Sequence, residues 1–202
     1  MLITDRHRLR GRPLEEVASQ AVDGGVNVVQ LREKDLPADE LYGIAITLRA
    51  VLRGRALFLV NDRLDVALAS GADGVHLPER GLSPKVAREL AGESCLIGRS
   101  VHSAAEARRA EADGADFVQA GAVFETASKP GAPPAGVELL RAVAGAVRVP
   151  VVAVGGIIAG RVREVVAAGA DGVAVIGAIM DAADPREAAL ALRRALDEAC
   201  PA

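Results

Sequence analysis

Short runs rich in valine and isoleucine recur eight times along the chain, and a segment with apolar residues at helical spacing follows each run. This alternation is typical of β–α units, whose strands lie parallel in one sheet. Strands are predicted at 2–4, 26–31, 56–60, 73–77, 94–98, 116–120, 150–154 and 171–175, and helices at 13–23, 38–53, 63–70, 84–91, 103–113, 136–147, 159–168 and 185–199. The pattern therefore predicts an α/β fold, a single (β/α)8 TIM barrel over residues 1–202.

A short Gly-Ala-Asp repeat precedes three of the predicted strands. The copies lie at 71–75, 114–118 and 169–173, with a looser fourth copy at 24–28. Glycine supplies the left-handed residue that ends a helix, here at the amino ends of the strands. Because the catalytic groups of such barrels come from the opposite end, the repeat indicates fold rather than function.

The composition argues against several classes of protein. The 202 residues carry a formal net charge of −3 and only 2% aromatic residues, whereas nucleic-acid-binding proteins usually combine a basic surface with stacking aromatics. Cys95 and Cys200 lack metal-ligand spacing, which favours reduced thiols in a cytoplasmic protein. The first residues lack the apolar segment of a signal peptide, and no stretch approaches about 18 uninterrupted apolar residues, so we expect no membrane partner.

Polar residues are concentrated after the predicted strands, at the end where barrels of this kind carry their chemistry. Only three of the 24 basic residues are lysines, and two of these, Lys34 and Lys129, follow strands 2 and 6. The candidate substrate-binding residues at this end are Arg32, Lys34, Asn61, Arg99, Ser100, Thr126 and Lys129. They predict a site for an anionic small molecule, although the loops of any barrel are polar.

Two strands run into glycines that suit phosphate binding. Strand 7 leads into Gly155-Gly156 and strand 8 into Ile176-Gly177. Loops 7 and 8 of such barrels often bind phosphate through backbone N–H groups, and glycine lets the backbone approach closely. We therefore predict that these four residues bind the phosphate of a small-molecule substrate, the alternative being tight turns without a ligand.

One histidine is the candidate acid–base residue. His102 follows strand 5 beside Arg99 and Ser100, and an imidazole can both take and return a proton near neutral pH. His76 lies within strand 4, where it faces either the barrel interior or a helix. His102 is therefore predicted to be catalytic.

A metal site is less well supported by the sequence. Mg²⁺ in a diphosphate site usually requires about two carboxylates. Asp62 follows strand 3, but the loop after strand 4, Leu77-Pro78-Glu79-Arg80-Gly81-Leu82, has no second carboxylate directly after the strand, and Glu79 could serve only in a different geometry. The sequence therefore predicts neither a metal nor a cofactor.

The proline- and glycine-rich segment 129–136 is either a lid over the site or a long turn.

Several motifs, taken in order, resemble the thiamine phosphate synthase superfamily of small (β/α)8 barrels. They extend over nearly the whole chain: Ile3-Thr4-Asp5, Gln30-Leu31-Arg32-Glu33-Lys34, Asn61-Asp62-Arg63, Ala72-Asp73-Gly74-Val75-His76-Leu77, Gly155-Gly156-Ile157 and Gly172-Val173-Ala174-Val175. The resemblance implies the predicted barrel and a place in thiamine biosynthesis.

Two departures favour the thiazole tautomerase branch of this superfamily. Pro78, Glu79 and Gly81 stand where synthases have Gly, Gln and a Mg²⁺-binding Asp, and the segments 98–103 and 123–126 are similar to tautomerases. That resemblance implies an isomerase that aromatises a carboxylated thiazole phosphate tautomer without metal, with His102 as the acid–base residue. Phe124 is the aromatic residue placed to touch the thiazole ring.

Two other functions stay open on the same resemblance. Lys34, Asn61, Asp62 and Lys129 match the synthase pattern, in which an enzyme couples a pyrimidine diphosphate to a thiazole phosphate with Mg²⁺. A non-catalytic regulatory homologue that binds thiazole phosphate is the third possibility. A homodimer is an expectation at the level of the family.

Overall fold

Eight parallel strands alternate with helices in the order that the sequence predicts, in a computed structural model that describes residues 1–128, 131 and 133–200. The strands are β1 Leu2–Ile3, β2 Val28–Leu31, β3 Leu57–Asn61, β4 Gly74–Leu77, β5 Leu96–Val101, β6 Phe117–Ala120, β7 Val151–Val154 and β8 Gly172–Ala174. The helices are α1 Leu14–Asp23, α2 Ala38–Leu52, α3 Leu64–Ser70, α4 Pro84–Ala91, α5 Ala104–Ala112, α6 Gly136–Ala144, α7 Val162–Ala167, α8 Gly177–Met180 and α9 Pro185–Ala199. The predicted (β/α)8 barrel is confirmed.

Each strand pairs with the next one in the chain, from β1 to β8. Leu2 forms a parallel bridge with Val175, where the Ile3 N–H donates to the Val175 carbonyl at 2.9 Å and the Val175 N–H to the Met1 carbonyl at 3.1 Å. These contacts join the last strand to the first and close the sheet into a barrel. Among the described helices, none combines the length and the apolar character needed to cross a membrane.

The Gly-Ala-Asp repeat forms a ring of hydrogen bonds at the amino ends of the strands. The carboxylates of Asp73, Asp116 and Asp171 accept the N–H groups of Phe58, Ile97 and Val151 at 2.7, 2.7 and 2.8 Å. Each aspartate directly precedes an even-numbered strand and bonds to the start of the odd-numbered strand before it. The side chains thus tie neighbouring strands together at the end of the barrel away from the predicted chemistry.

Strand β5 begins two residues later and ends three residues later than predicted, which moves two predicted site residues into it. Glycine and serine are poor strand formers, so Gly98 and Ser100 obscured the end of the strand in the sequence. The packing explains why a glycine stands within this strand, because a Cβ at Gly98 would overlap the ring of Phe117 on β6. Successive residues of a strand face opposite sides, so Arg99 and Ser100 point away from each other.

Candidate active site

A cavity of about 590 Å³ opens at the carboxyl ends of the strands. The predicted site residues that line it are Arg32, Lys34, Asn61, Ser100, His102, Thr126, Gly155, Gly156, Ile176 and Gly177. A cavity of this size, with polar groups converging from several loops, is the usual form of a small-molecule site. Lys129 lies outside the residues that the structure describes, and so does part of the predicted lid 129–136.

Loops 7 and 8 present backbone donors along the cavity wall. The N–H groups of Gly155, Gly156 and Ile157 in loop 7 donate to no acceptor among the described residues, and neither do those of Gly177 and Ala178 in loop 8. All five residues line the cavity. Backbone donors that line a cavity without an acceptor from the protein suit a ligand with several oxygens, such as a phosphate.

Loop 2, the segment between β2 and α2, carries cationic side chains on the cavity wall. Arg32 is half-buried there, and its guanidinium donates to no acceptor within the described part of the chain. Burial lowers the pKa of Arg32, with Asp5 and Glu33 acting in the opposite direction. An arginine keeps its charge even so, and a half-buried guanidinium whose N–H groups have no acceptor favours an anionic ligand. Lys34, exposed, lines the same wall.

A buried carboxylate beneath loop 2 holds Arg32 in place. Glu33 accepts the Thr4 hydroxyl at 2.7 Å and the Arg6 N–H at 3.0 Å, while the Thr4 hydroxyl oxygen accepts the Arg32 N–H at 2.9 Å. These bonds cross from β1 and its loop to β2 and its loop. They fix the Glu33 side chain and the backbone of Arg32, and thereby the start of the Arg32 side chain.

Two polar side chains inside the barrel face the cavity, and sequence reasoning did not place them in the site. Gln30 is 1% exposed and neither its amide nitrogen nor its amide oxygen has a partner in the described residues. His76 is also buried, with Nε2 2.8 Å from the Ser100 hydroxyl and Nδ1 without a partner among those residues. Both line the cavity. The period-two pattern of a strand does not say which face is inward, so only the register could reveal them.

The environment of His76 keeps its ring neutral. Burial, followed by the charges of Arg99 and Arg32, lowers the pKa of His76 to about 3. A neutral imidazole has one N–H donor and one acceptor nitrogen, so it can recognise a polar ring without carrying charge.

His102 follows β5 and lies at the mouth of the cavity. Its Nδ1 is 2.5 Å from the Gly121 carbonyl oxygen, to which it donates, and its Nε2 is 3.6 Å from a Glu79 carboxylate oxygen. Its own N–H donates to Glu106 at 2.7 Å. The imidazole is thus held in one orientation, with Nε2 directed towards Glu79 at the cavity wall.

Arg99 and Phe124 do not line the cavity, contrary to the prediction for both. Arg99 points outward from β5 and donates to the carbonyl oxygens of Leu82 and Glu79 at 2.7 and 2.8 Å, so it supports the loop after β4. Phe124 packs against the core beneath the guanidinium of Arg161. Both residues therefore contact the segments that form the cavity wall, and neither faces the cavity.

Asp62 after β3 and Glu79 after β4 are the carboxylates that could hold a Mg²⁺ ion if a diphosphate supplied the remaining ligands. A Cβ at Gly81 would lie 2.8 Å from the Asp62 carboxylate, so the two positions face each other and only one carries a carboxylate. Glu79 on the same loop lines the cavity. No cluster of three or more potential metal ligands occurs in the described residues. Mg²⁺ often takes one or two protein carboxylates and completes its shell with phosphate and water, which this set allows.

Comparisons with known proteins point to one family. The model of the family described as thiamine monophosphate synthase matches residues 1–179. A putative thiamine-phosphate synthase of Geobacter sulfurreducens is 50% identical, over 95% of this chain and 91% of that protein. A thiamine-phosphate synthase of Moorella thermoacetica is 47% identical, over 94% of this chain and 91% of that protein. The solved structure of thiamine phosphate pyrophosphorylase from Pyrococcus furiosus has a TM-score of 0.90 at 45% identity, covering 98% of this chain and 95% of that one.

These comparisons confirm the superfamily and overturn the tautomerase interpretation. The relatives that match nearly the whole chain are named synthases, so the assignment to an isomerase that aromatises a thiazole tautomer is wrong. That interpretation gave most weight to Gly81 and to the segment 98–103. Losing one carboxylate does not remove diphosphate chemistry, because Arg32, Lys34 and a phosphate-bound Mg²⁺ can still neutralise the diphosphate.

Proposed function

The chain belongs to the thiamine monophosphate synthase family, and on that premise we propose that it couples a pyrimidine diphosphate to a thiazole phosphate, forming thiamine phosphate and releasing diphosphate. The observation that carries the proposal is the presence of two separate anion-binding groups in one cavity. Arg32 and Lys34 of loop 2 form the cationic group, and the N–H donors of loops 7 and 8 form the neutral group. A coupling enzyme with two phosphorylated substrates requires both.

The two groups differ in a way that suits the two substrates. A diphosphate carries more negative charge than a phosphate monoester, so we assign it to the guanidinium of Arg32 and the ammonium of Lys34. The thiazole phosphate is assigned to the backbone donors around Gly156 and Gly177, which bind phosphate oxygens without adding net charge. The two phosphate-bearing ends would then be held by different loops of the same cavity wall, with the rings between them.

The chemical step forms one bond and breaks another. The thiazole nitrogen supplies an electron pair for the new C–N bond to the methylene carbon of the pyrimidine, and the C–O bond to the diphosphate breaks with its electron pair on the leaving group. Arg32 and Lys34 stabilise the negative charge that develops on that leaving group. A bound Mg²⁺, held by Asp62 with Glu79 nearby, would neutralise part of the same charge.

The barrel interior supplies the groups that would orient the rings. The unpartnered amide of Gln30 offers one donor and one acceptor, and the neutral His76 offers an unpartnered Nδ1 beside Ser100. Nitrogen heterocycles present donors and acceptors in the same plane, so these side chains match a pyrimidine or thiazole edge. Holding both rings in line is the main contribution that such a site makes to a bimolecular reaction.

The proposal is tested by incubating the protein with both substrates and Mg²⁺ and following phosphorus by NMR. We expect thiamine phosphate and diphosphate in equal amounts, and no diphosphate when either substrate is omitted. Binding of thiazole phosphate without any coupled product would instead identify a regulatory homologue, and would refute the proposed activity.

A further inference from the structure

Arg161 lies outside the cavity but contacts two of the loops that form its wall. It ends the 3-10 turn Ala159–Arg161 between β7 and α7. Its guanidinium donates to the Gly156 carbonyl oxygen at 2.7 Å, and its Cζ lies 4.5 Å from the centroid of the Phe124 ring. Gly156 belongs to loop 7 and Phe124 to loop 6, so a single side chain joins the two.

The hydrogen bond at Gly156 bears directly on the donors of loop 7. In a trans peptide the C=O and the following N–H point in opposite directions. A guanidinium that holds the Gly156 carbonyl outside the cavity therefore keeps the Ile157 N–H turned the other way, and Ile157 lines the cavity. That N–H is one of the donors without an acceptor in the described part of the chain.

The contact with Phe124 connects Arg161 to loop 6, which packs directly against loop 7. A Cβ at Gly156 would overlap the Glu125 carbonyl oxygen and lie 2.8 Å from the Phe124 Cβ, so loop 7 is pressed against loop 6 without a gap. The Phe124 N–H donates to the Gly155 carbonyl oxygen at 3.1 Å. A guanidinium over an aromatic ring is attracted by the ring face, which adds to this contact.

We propose that Arg161 is a positioning residue that sets the affinity of the enzyme for its phosphate monoester substrate. It acts through the Gly156 peptide and the Phe124 ring, and touches no substrate itself. The inference rests on the proposed function for the assignment of thiazole phosphate to loops 7 and 8, whereas the diphosphate group at Arg32 is independent of this contact. The two substrates should therefore respond differently when the contact is lost.

The test measures KM for each substrate separately in Arg161→Met. We expect KM for thiazole phosphate to rise about tenfold, the effect of losing a hydrogen bond to a charged donor, with KM for the pyrimidine diphosphate and kcat changed less than about twofold. Arg163→Met is the matched control, because Arg163 is exposed on the next helix and its loss removes the same charge. It should behave like the wild type.

Arg161→Lys tests the geometry and also serves if the methionine variant folds poorly. Lysine keeps the positive charge and can still donate a hydrogen bond, but it lacks the planar guanidinium group. KM for thiazole phosphate should therefore lie between those of the wild type and Arg161→Met. An unchanged KM for thiazole phosphate in Arg161→Met and Arg161→Lys, or an equal rise for both substrates, would overturn the inference. Calorimetric titration with thiazole phosphate alone separates the two proposals: weaker binding by Arg161→Met than by Arg163→Met supports the role of Arg161 even if the wild type yields no coupled product.

Discussion

The two ends of the barrel use the same residue types in opposite ways. At the amino ends of the strands, Arg88 donates to Asp116 at 2.7 Å and to the Cys95 carbonyl at 2.6 Å, and Asp116 also accepts the Ile97 N–H. At the carboxyl ends, the half-buried guanidinium of Arg32 donates to no described acceptor, and the amide of Gln30 is likewise without a partner there. The donors of Arg88 are thus paired within the protein, whereas those of Arg32 and Gln30 meet no acceptor among the described residues.

This difference separates stability from function more clearly than residue type does. A buried polar group without a partner costs free energy, so a fold keeps such groups only where a ligand supplies the missing bonds. The paired groups of the amino end should therefore affect unfolding and leave binding unchanged. The unpaired donors of Arg32 and Gln30 at the carboxyl end should affect ligand binding.

The largest expected effect comes from two glycines with the same backbone conformation. Gly156 at the carboxyl end and Gly71 at the amino end both have φ of +64°. An added Cβ at Gly156 overlaps loop 6, whereas at Gly71 it meets nothing within 4 Å. Gly156→Ala should lower kcat/KM by about 100-fold through displacement of the phosphate loop. Gly71→Ala should cost about 1–2 kcal/mol of stability from backbone strain alone.

Steady-state kinetics and thermal unfolding of both glycine variants check this prediction. Equal losses of activity in the two variants would mean that strain, and not the position of loop 7, governs the site.

The next effect concerns the paired arginine at the amino end. Arg88→Gln removes hydrogen bonds to several carbonyls and to Asp116, and should lower the free energy of unfolding by about 2–3 kcal/mol with kcat/KM unchanged. Arg108→Gln, at an exposed position on α5, is the control, with an expected change within about 0.5 kcal/mol. Urea denaturation measures both, and a loss of activity without a loss of stability would break the comparison.

An effect that is smaller for each pH unit follows from the neutral His76 at the cavity. The pKa of His76 is lowered from the ordinary 6.5 to about 3, so between these pH values the unfolded chain binds more protons than the folded one. Stability should therefore fall as the pH drops from about 6.5 towards 3, with a slope from this group of at most about 1.4 kcal/mol per pH unit.

Urea denaturation at several pH values checks the histidine prediction, and His76→Asn should reduce the slope. His7→Asn is the matched control, because the side chain of His7 is 67% exposed. An identical slope in wild type and His76→Asn would show that His76 is not buried in its neutral form.

The fold could be predicted because hydrophobic periodicity repeats in every β–α unit, and the Gly-Ala-Asp motif recurs before three of the eight strands. All eight strands appear in the predicted order, and the glycines of loops 7 and 8 lie on the cavity wall. These features depend on local pattern and on the position of a loop along the chain, both of which the sequence contains.

The rest of the site depended on strand register and on partners distant in sequence. The inward orientation of Gln30 and His76 follows from the closed barrel, and the outward orientation of Arg99 follows from where β5 ends, which the packing of Gly98 on Phe117 decides. The branch of the family was misjudged for a related reason, since the loss of one carboxylate at Gly81 does not tell which other groups neutralise the ligand.

The most direct test of the contrast between the two ends is calorimetric titration with inorganic diphosphate in the presence of Mg²⁺. We expect the wild type and Arg88→Gln to bind diphosphate alike, because Arg88 is paired at the other end of the barrel. Arg32→Gln should bind it at least about tenfold more weakly, since a charge-assisted hydrogen bond is lost. Equal affinity of Arg32→Gln and the wild type for diphosphate would contradict the account.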